Sequence, residues 1–374
     1  MKPRIICLLL AALCLCSFTY IPSADNLKLK CVSCVLIDQY SGRILYSKNS
    51  DKILAMASTT KIITAIVAIE KGNLNDTTVI SKRAAAVRGS TAGLKENEKI
   101  TLEELLYGLM LRSGNDAAIA IAEMIGGSVQ GFVKLMNDKA LELGAYNTSF
   151  ATPHGLDASD HYTNAQDLAK LTAYAMNNET FAQIVSAKEV TCGVTGKFNR
   201  SYININKFLY RIDNSDGVKT GFTGNAGKCL VASVKHPYGR YICVVLNSGD
   251  RWKDAETLMK YANKTYDFIK LYSKGELVKK VWVDDGCNRY VCGRINSDLY
   301  LPVKAGEREK VNVQVYVPSV IFTPVSENDP IGSIVVNING VQEAKYTLYS
   351  DRTIKRCSLS ISSEINRLMV NNKH

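Results

Sequence analysis

Ser58-Thr-Thr-Lys-Ile-Ile-Thr-Ala-Ile-Val-Ala-Ile69, followed by Gly72, is the stretch on which the reading of this chain turns. Ile62, Ile63, Ile66 and Ile69 recur at helical spacing and Gly72 stops the run, so a helix is predicted with Ser58 at its start. In a helix, residues three apart share a face, which puts the Ser58 hydroxyl one turn from the Lys61 amine. An amine so placed can take the hydroxyl proton once its own charge is suppressed, giving a nucleophile and a base without a histidine.

Further along the chain stand Ser113-Gly-Asn115 and Lys219-Thr220-Gly221. Ser-x-x-Lys occurs once in the 374 residues and Lys-Thr-Gly once, so these two strings carry information. Ser-x-Asn occurs three times, at Ser47, Ser113 and Ser326, and only Ser113 lies between the other two motifs. Each string has a plain structural reading on its own. Ser58 can start a helix, Ser113 and Asn115 can cap the next one, Lys219 can be an exposed strand charge and Gly221 a bulge. The ordered triple favours chemistry.

Around the triple the pattern is α+β. Cys31 to Asp38 and Arg43 to Ser47 read as strands joined by a hairpin at Tyr40-Ser41-Gly42, the first apolar enough for the inside of a sheet. Ser81 to Glu98 reads as a loop excursion, and Thr101-x-x-Glu104 as a capping box opening Leu102 to Arg112. Helices are expected over Asp116 to Ile125, Phe132 to Leu143, Asn164 to Met176 and Trp252 to Tyr272. Strands are expected over Val218 to Phe222, Cys229 to Val234 and Tyr241 to Asn247. Strands at both ends with helices between them predict a largely antiparallel sheet with a helical insertion. After Gly275 short β-rich runs take over, predicting a small all-β domain. The expected organisation is a signal peptide over 1–24, a catalytic domain over 25–275, a β-sandwich over 276–352 and a tail over 353–374.

Lys2 and Arg4 precede the uncharged, mostly apolar Ile5 to Ile21, and Ala24 ends a workable export-signal cleavage site; an uncleaved anchor is the alternative. The formal charge of +11 comes from scattered Lys and Arg, with no aromatic-interleaved basic stripe. That favours an anionic wall or membrane surface over nucleic acid. Cys31-x-x-Cys34 reads as a pair of buried small side chains in a strand, and Cys287 and Cys292 are spaced for a hairpin disulfide that sequence alone leaves open. With only four His and no second Cys pair, no metal site and no cofactor are expected.

Residue by residue, Ser58 is the expected nucleophile and Lys61 its base. Lys61 must be desolvated or set beside another cation, and Lys219 is that cation as well as an attractor for an anionic substrate. Ser113 can relay a proton to a leaving amine, and Asn115 can hold Lys61 or a substrate amide. Thr220 offers a hydroxyl to a carboxylate, and Gly221 lets a substrate backbone lie close to the strand. The backbone N–H groups of Ser58 and Phe222 can form an oxyanion hole.

At this point the chain resembles the D-alanyl-D-alanine carboxypeptidases, the low-molecular-mass penicillin-binding proteins of serine peptidase family S11. The triple carries the likeness, together with Asp38-Gln-Tyr-Ser-Gly-Arg-Ile-Leu-Tyr46, Arg112-Ser-Gly-Asn-Asp-Ala117, Thr152-Pro-His-Gly-Leu156, Asp216-Gly-Val-Lys-Thr-Gly-Phe-Thr223 and Ala226-Gly-Lys-Cys-Leu-Val-Ala-Ser233. Thr323-Pro-Val325 and Ile331-Gly-Ser-Ile-Val335 extend it, less distinctively, into the C-terminal stretch. The resemblance implies a β-lactamase/transpeptidase-like domain followed by a small β-sandwich. It implies a peptidoglycan stem peptide ending in D-Ala-D-Ala as substrate, an acyl-enzyme on Ser58, and β-lactams as covalent inhibitors. It also implies that Arg251 helps bind the terminal carboxylate.

Two departures stand out. Phe222 replaces the His that some relatives carry after Lys-Thr-Gly. The tail, with Ile361, Ile365, Leu368 and Met369 on one short face, is brief for the amphipathic anchor that ends many relatives, so peripheral membrane contact stays open. Two other readings share the triple. A β-lactamase of class A would add Glu-x-x-Leu-Asn, a string this chain lacks. A slow penicillin-sensing or wall-binding module would keep the same residues.

Overall fold

The computed structural model describes residues 27–192 and 198–357. The expected export signal and most of the expected tail lie outside the described residues. Five antiparallel strands form the main sheet: β1 (Cys31–Asp38), β2 (Ile44–Lys48), β3 (Ser215–Thr223), β4 (Gly227–His236) and β5 (Gly239–Ser248), in the spatial order β2-β1-β5-β4-β3. The first and last parts of the catalytic half therefore meet in the middle of the sheet, β1 against β5.

The sheet is covered on both faces, which is why its central strands are apolar without a polar alternation. Val35, Ile37, Val231, Val244 and Leu246 face the helical block. Cys34, Leu36, Leu230, Ala232, Cys243 and Val245 face Ala255, Leu258, Met259 and Ala262 of the helix Arg251–Thr265. At about 1.5–3 kcal/mol per fully buried large apolar side chain, these two layers are the main source of stability.

The helix α1 (Lys61–Lys71) runs through the centre of the helical block, with Ile62, Ile63, Ala65, Ile66, Val67 and Ala68 all buried. So many β-branched residues are weak helix formers, and burial rather than propensity holds this helix. Around it lie α2 (Leu102–Leu111), α3 (Asn115–Gly126), α4 (Val129–Glu142), α5 (Ala165–Ala175) and α6 (Glu179–Ser186). Side-chain caps start most of them: Thr101 on the Glu104 N–H, Ser128 on Gly131, Asn164 on Asp167 and Asn178 on Phe181. The capping box at Thr101 is half made. Glu104 is buried and accepts instead from the Asn199 N–H at 3.0 Å, tying down the segment after residue 197.

Two expectations are corrected here. The helix after β5 ends at Thr265, and Tyr266–Tyr272 is a strand paired with Leu299–Lys304. The aromatic and aliphatic run Tyr266-x-Phe268-Ile269-x-Leu271-Tyr272 satisfies sheet packing better than a longer helix. The excursion 81–98 also contains a short helical turn, Lys82–Ala85, capped by Ser81.

The described residues of the C-terminal half, from Tyr266 on, are strands and turns, with one 3-10 turn at Arg308–Lys310. A six-stranded sheet packs its apolar face, with Ile334, Val336, Tyr346 and Leu348, against the pair Tyr266–Tyr272 and Leu299–Lys304, which contributes Ile269, Leu301 and Val303. Arg43, in the hairpin after β1, reaches across to this half. Its guanidinium contacts Glu307 at 3.0 Å, Glu343 at 3.1 Å and the Pro302 carbonyl, and it lies over the Tyr266 ring.

Candidate active site

Ser58 sits in a tight 3-10 turn, Ala57–Thr60, which runs straight into α1. Two hydroxyls build the turn: Thr59 Oγ1 donates to the Met56 carbonyl at 2.6 Å and Thr60 Oγ1 to the Ala57 carbonyl at 2.7 Å. Ala57 is held at φ 48, a conformation that L-residues keep only when their surroundings enforce it. Gly155 packs directly beneath. A Cβ there would come within 2.0 Å of the Ala57 carbonyl oxygen, and its φ of +88 also calls for glycine. His161 completes the support. Its Nδ1 accepts from the Ala151 N–H at 3.0 Å, so Nε2 carries the proton and donates to Thr60 Oγ1 at 2.8 Å.

Lys61 is fully buried at the first turn of α1. Its Nζ lies 3.0 Å from Ser58 Oγ, 2.8 Å from Asn115 Oδ1 and 2.6 Å from the His154 carbonyl. A neutral amine has two N–H groups and one lone pair. The two carbonyl-type acceptors use the N–H groups, which leaves the lone pair for the Ser58 hydroxyl proton.

Ser113-Gly-Asn115 joins α2 to α3. The residue that caps α3 is Gly114, and neither Ser113 nor Asn115 caps it with a side chain. Asn115 points its oxygen at Lys61 and donates its amide nitrogen to the Arg88 carbonyl at 2.7 Å. Ser113 is buried, at φ 60, in the turn that delivers Asn115. Asp116, buried next door, accepts from the N–H groups of Ala92, Gly93 and Leu94 and so pins the 88–94 loop against the motif.

Lys219, Thr220 and Gly221 lie on β3, at the sheet edge facing the Ser58 turn. The register is regular through Gly221, paired with Cys229, so no bulge is present there. A Cβ on Gly221 would stand 3.0 Å from the Ser58 nitrogen and 3.1 Å from the Met56 carbonyl oxygen; glycine is what lets strand and turn approach. Lys219 is buried, not an exposed strand charge, and its Nζ donates to the Thr220 carbonyl at 2.9 Å. Phe222 turns its ring to solvent at 66% exposure, so its backbone is what it brings to the site. Arg251, at the start of the helix after β5, donates from Nη1 to the Gly221 carbonyl at 2.7 Å and the Cys229 carbonyl at 3.1 Å, while its buried Nε has no protein partner.

Burial holds the Lys61 amine well below the ordinary lysine value; the Lys219 charge lowers it further and Asp116 opposes. Lys219 is pushed down to about 7, by burial first and then by Arg251. Burial likewise brings His154 down to about 4, with the Lys61 charge adding to it.

The structure thus joins Ser58, Lys61, Asn115 and Gly221 by direct contact or close approach, and sets Lys219 and Arg251 in one electrostatic group. Sequence reasoning did not assign the His154 carbonyl, Gly155, His161 or Asp116. The string Thr152-Pro-His-Gly-Leu156 was the available signal for the first two. Among the described residues no group of His, Cys, Asp and Glu is arranged to hold a metal.

Comparison with known proteins gives the same picture over most of the chain. A family profile described as D-alanyl-D-alanine carboxypeptidase matches residues 20–250, and one described as penicillin-binding protein 5, C-terminal domain, matches 266–356. The chain is 33% identical to D-alanyl-D-alanine carboxypeptidase DacF of Bacillus subtilis over 87% of its own length and 86% of the relative's. It is 30% identical to DacA of Escherichia coli, over 89% and 88%. Penicillin-binding protein 5 of Haemophilus influenzae superposes with a TM-score of 0.70 at 28% identity, covering 89% of this chain and 99% of that one. With the motif residues gathered as described, the chain belongs to the serine peptidase family of D-alanyl-D-alanine carboxypeptidases, S11, whose fold is that of the low-molecular-mass penicillin-binding proteins.

Proposed function

We propose that this chain is a serine-type D-Ala-D-Ala carboxypeptidase that removes the terminal D-alanine from peptidoglycan stem peptides, and that β-lactams acylate the same serine. The observation that carries the reading is the three-way setting of Lys61 Nζ between Ser58 Oγ, Asn115 Oδ1 and the His154 carbonyl.

Ser58 Oγ attacks the carbonyl carbon of the penultimate D-alanine while its proton passes to the Lys61 lone pair. The oxyanion is met by the N–H groups of Ser58 and Phe222, which Gly221 allows to converge. Lys61 returns the proton, through Ser113, to the departing amine, and D-alanine leaves. Water then attacks the acyl-enzyme, with Lys61 as base again, and releases the shortened peptide. Lys219, Thr220 and Arg251 form the binding end for the terminal carboxylate, and Asn115 positions both Lys61 and the substrate amide. An incoming carboxylate restores the charge that burial takes from Lys219.

Export by residues 1–24, action in the cell envelope and contact of the tail with the membrane surface belong to this reading. So does a division into a catalytic domain and a C-terminal β-sandwich, with the strand Tyr266–Tyr272 counted in the sandwich because it pairs with Leu299–Lys304. The wall is the partner its scattered positive charge fits, with no nucleic acid and no cofactor required.

The test is D-alanine release from a peptide ending in D-Ala-D-Ala, comparing the parent with Ser58→Ala. Release by the parent alone supports the reading; folded parent that releases none refutes it.

A further inference from the structure

Cys287 and Cys357 belong to no part of the active site, yet the fold brings them together. Gly286 pairs with Arg356 in an isolated antiparallel bridge. On either side of that bridge the Cys287 N–H donates to the Lys355 carbonyl at 3.2 Å and the Cys357 N–H to the Asp285 carbonyl at 2.8 Å. Those two bonds make Gly286 and Arg356 a non-hydrogen-bonded pair, the narrower of the two kinds in an antiparallel ladder. Cys287 and Cys357 then share one face of the ladder, diagonal to each other across the bridge. Their thiols are close enough to hydrogen-bond with one another, and both are exposed and free. An Arg356–Asp285 ion pair of 3.5 Å reinforces the same crossing.

The other cysteines are placed differently. Cys292, the partner that sequence spacing suggests, is buried, and its N–H is held by Asp351 at 2.8 Å. Cys31, Cys34, Cys229 and Cys243 are buried in or beside the main sheet, away from any soluble oxidant. Cys192 is exposed, and its thiol contacts the Phe198 carbonyl at 3.1 Å.

We infer that Cys287 and Cys357 form a disulfide that clasps the point where the tail leaves the β-sandwich. The oxidant is a disulfide, either a small one such as oxidised glutathione or that of a dithiol–disulfide oxidoreductase. One cysteine thiolate attacks an oxidant sulfur and expels a thiolate, which takes up a proton. The second cysteine then attacks the mixed disulfide and expels the other thiol. Two protein thiols become one disulfide, and one oxidant disulfide becomes two thiols. The cross-link closes a loop of about 70 residues, long enough to restrain the unfolded chain strongly. The location proposed above supplies the oxidising setting; the chemistry itself is tested independently of it.

The full chain is reduced, freed of reductant and incubated at pH 8 with oxidised glutathione. Remaining thiols are alkylated and the digest is mapped by mass spectrometry. The expected result is a Cys287–Cys357 linked peptide pair with both sulfurs unalkylated. A melting temperature about 5 °C or more above that of the Cys287→Ser, Cys357→Ser double variant treated in the same way is also expected. Glutathione adducts or alkylation on both cysteines, or linkage of either to any other cysteine, overturns the inference. D-alanine release is followed in parallel, so a failure of the peptidase reading leaves the cross-link result standing.

Discussion

Lys61 Nζ stands 3.0 Å from Ser58 Oγ, and its two other contacts, Asn115 Oδ1 and the His154 carbonyl, are both acceptors. That arrangement suits a neutral amine with its lone pair on the serine. Arginine stays protonated at any accessible pH and cannot accept the proton. Lys61→Arg is therefore expected to lose acylation by peptide and by β-lactam, on the order of 10³-fold or more, while keeping its fold by circular dichroism. Acylation at the parental rate would remove Lys61 as the base.

The pair Lys61 and Lys219 predicts a bell-shaped pH profile for kcat/KM. With Lys61 as the proposed base, acting unprotonated, activity is expected to fall on the acid side as its depressed value is crossed. With Lys219 proposed to act charged, activity of the free enzyme is expected to fall as pH rises past about 7. Lys219→Arg should flatten the alkaline limb and leave an acid limb, at a lower maximum. An unchanged alkaline limb in that variant assigns the limb to another group.

Gly221 and Gly155 fix the Ser58 turn from two sides, and their substitutions should differ. Gly221→Ala places a Cβ at 3.0 Å from the Ser58 nitrogen, a displacement of a few tenths of an ångström. Acylation should slow by about 10-fold to 100-fold with little change in melting temperature. Gly155→Ala meets the Ala57 carbonyl oxygen at 2.0 Å from a left-handed backbone and should destabilise by about 2 kcal/mol or more. Thermal melts beside acylation rates separate the two.

Burial brings the folded-state values of His154 and His161 down to about 4, from an ordinary value near 6.5. Between those limits the unfolded chain binds more protons than the folded one, so stability falls as pH drops from 6.5 towards 4. Each histidine contributes about 1.4 kcal/mol per pH unit across that window. Melting temperature should drop on acidification, and His161→Gln should lessen the slope. A slope equal to the parent's would show that His161 is not held neutral.

Arg43 is buried between Glu307 and Glu343, so removing it strands two carboxylates at the contact between the two halves of the chain. Arg43→Ala is expected to cost about 3 kcal/mol and to open that junction to limited proteolysis. The active-site contacts lie elsewhere, so acylation at low temperature should persist.

The parts of this molecule that the sequence displays are those written locally. Ser58, Lys61 and the isoleucines of α1 lie within a few turns of one another, and Lys219-Thr-Gly221 needs only its own strand. Glu104 shows how long-range packing overrides a local rule: its half of the capping box goes to Asn199 instead. Helix α6 has a legible cap at Asn178 and apolar Phe181, Ile184 and Val185, but its eight residues are too few for periodicity to stand out. The His154 carbonyl, Asp116 and Arg43 act on partners far along the chain, where spacing carries no signal. Cys287 illustrates the same limit: the exposed thiol within its reach is Cys357, far along the chain, while its sequence neighbour Cys292 is buried.

The pairing of Ser58 as nucleophile with Lys61 as base is tested most directly by peptide mapping of the intact chain after brief exposure to benzylpenicillin, alongside Ser58→Ala and Lys61→Arg. One penicilloyl group per molecule, on Ser58, is expected in the parent and none in either variant. A penicilloyl group elsewhere, or acylation of Lys61→Arg at the parental rate, would contradict it.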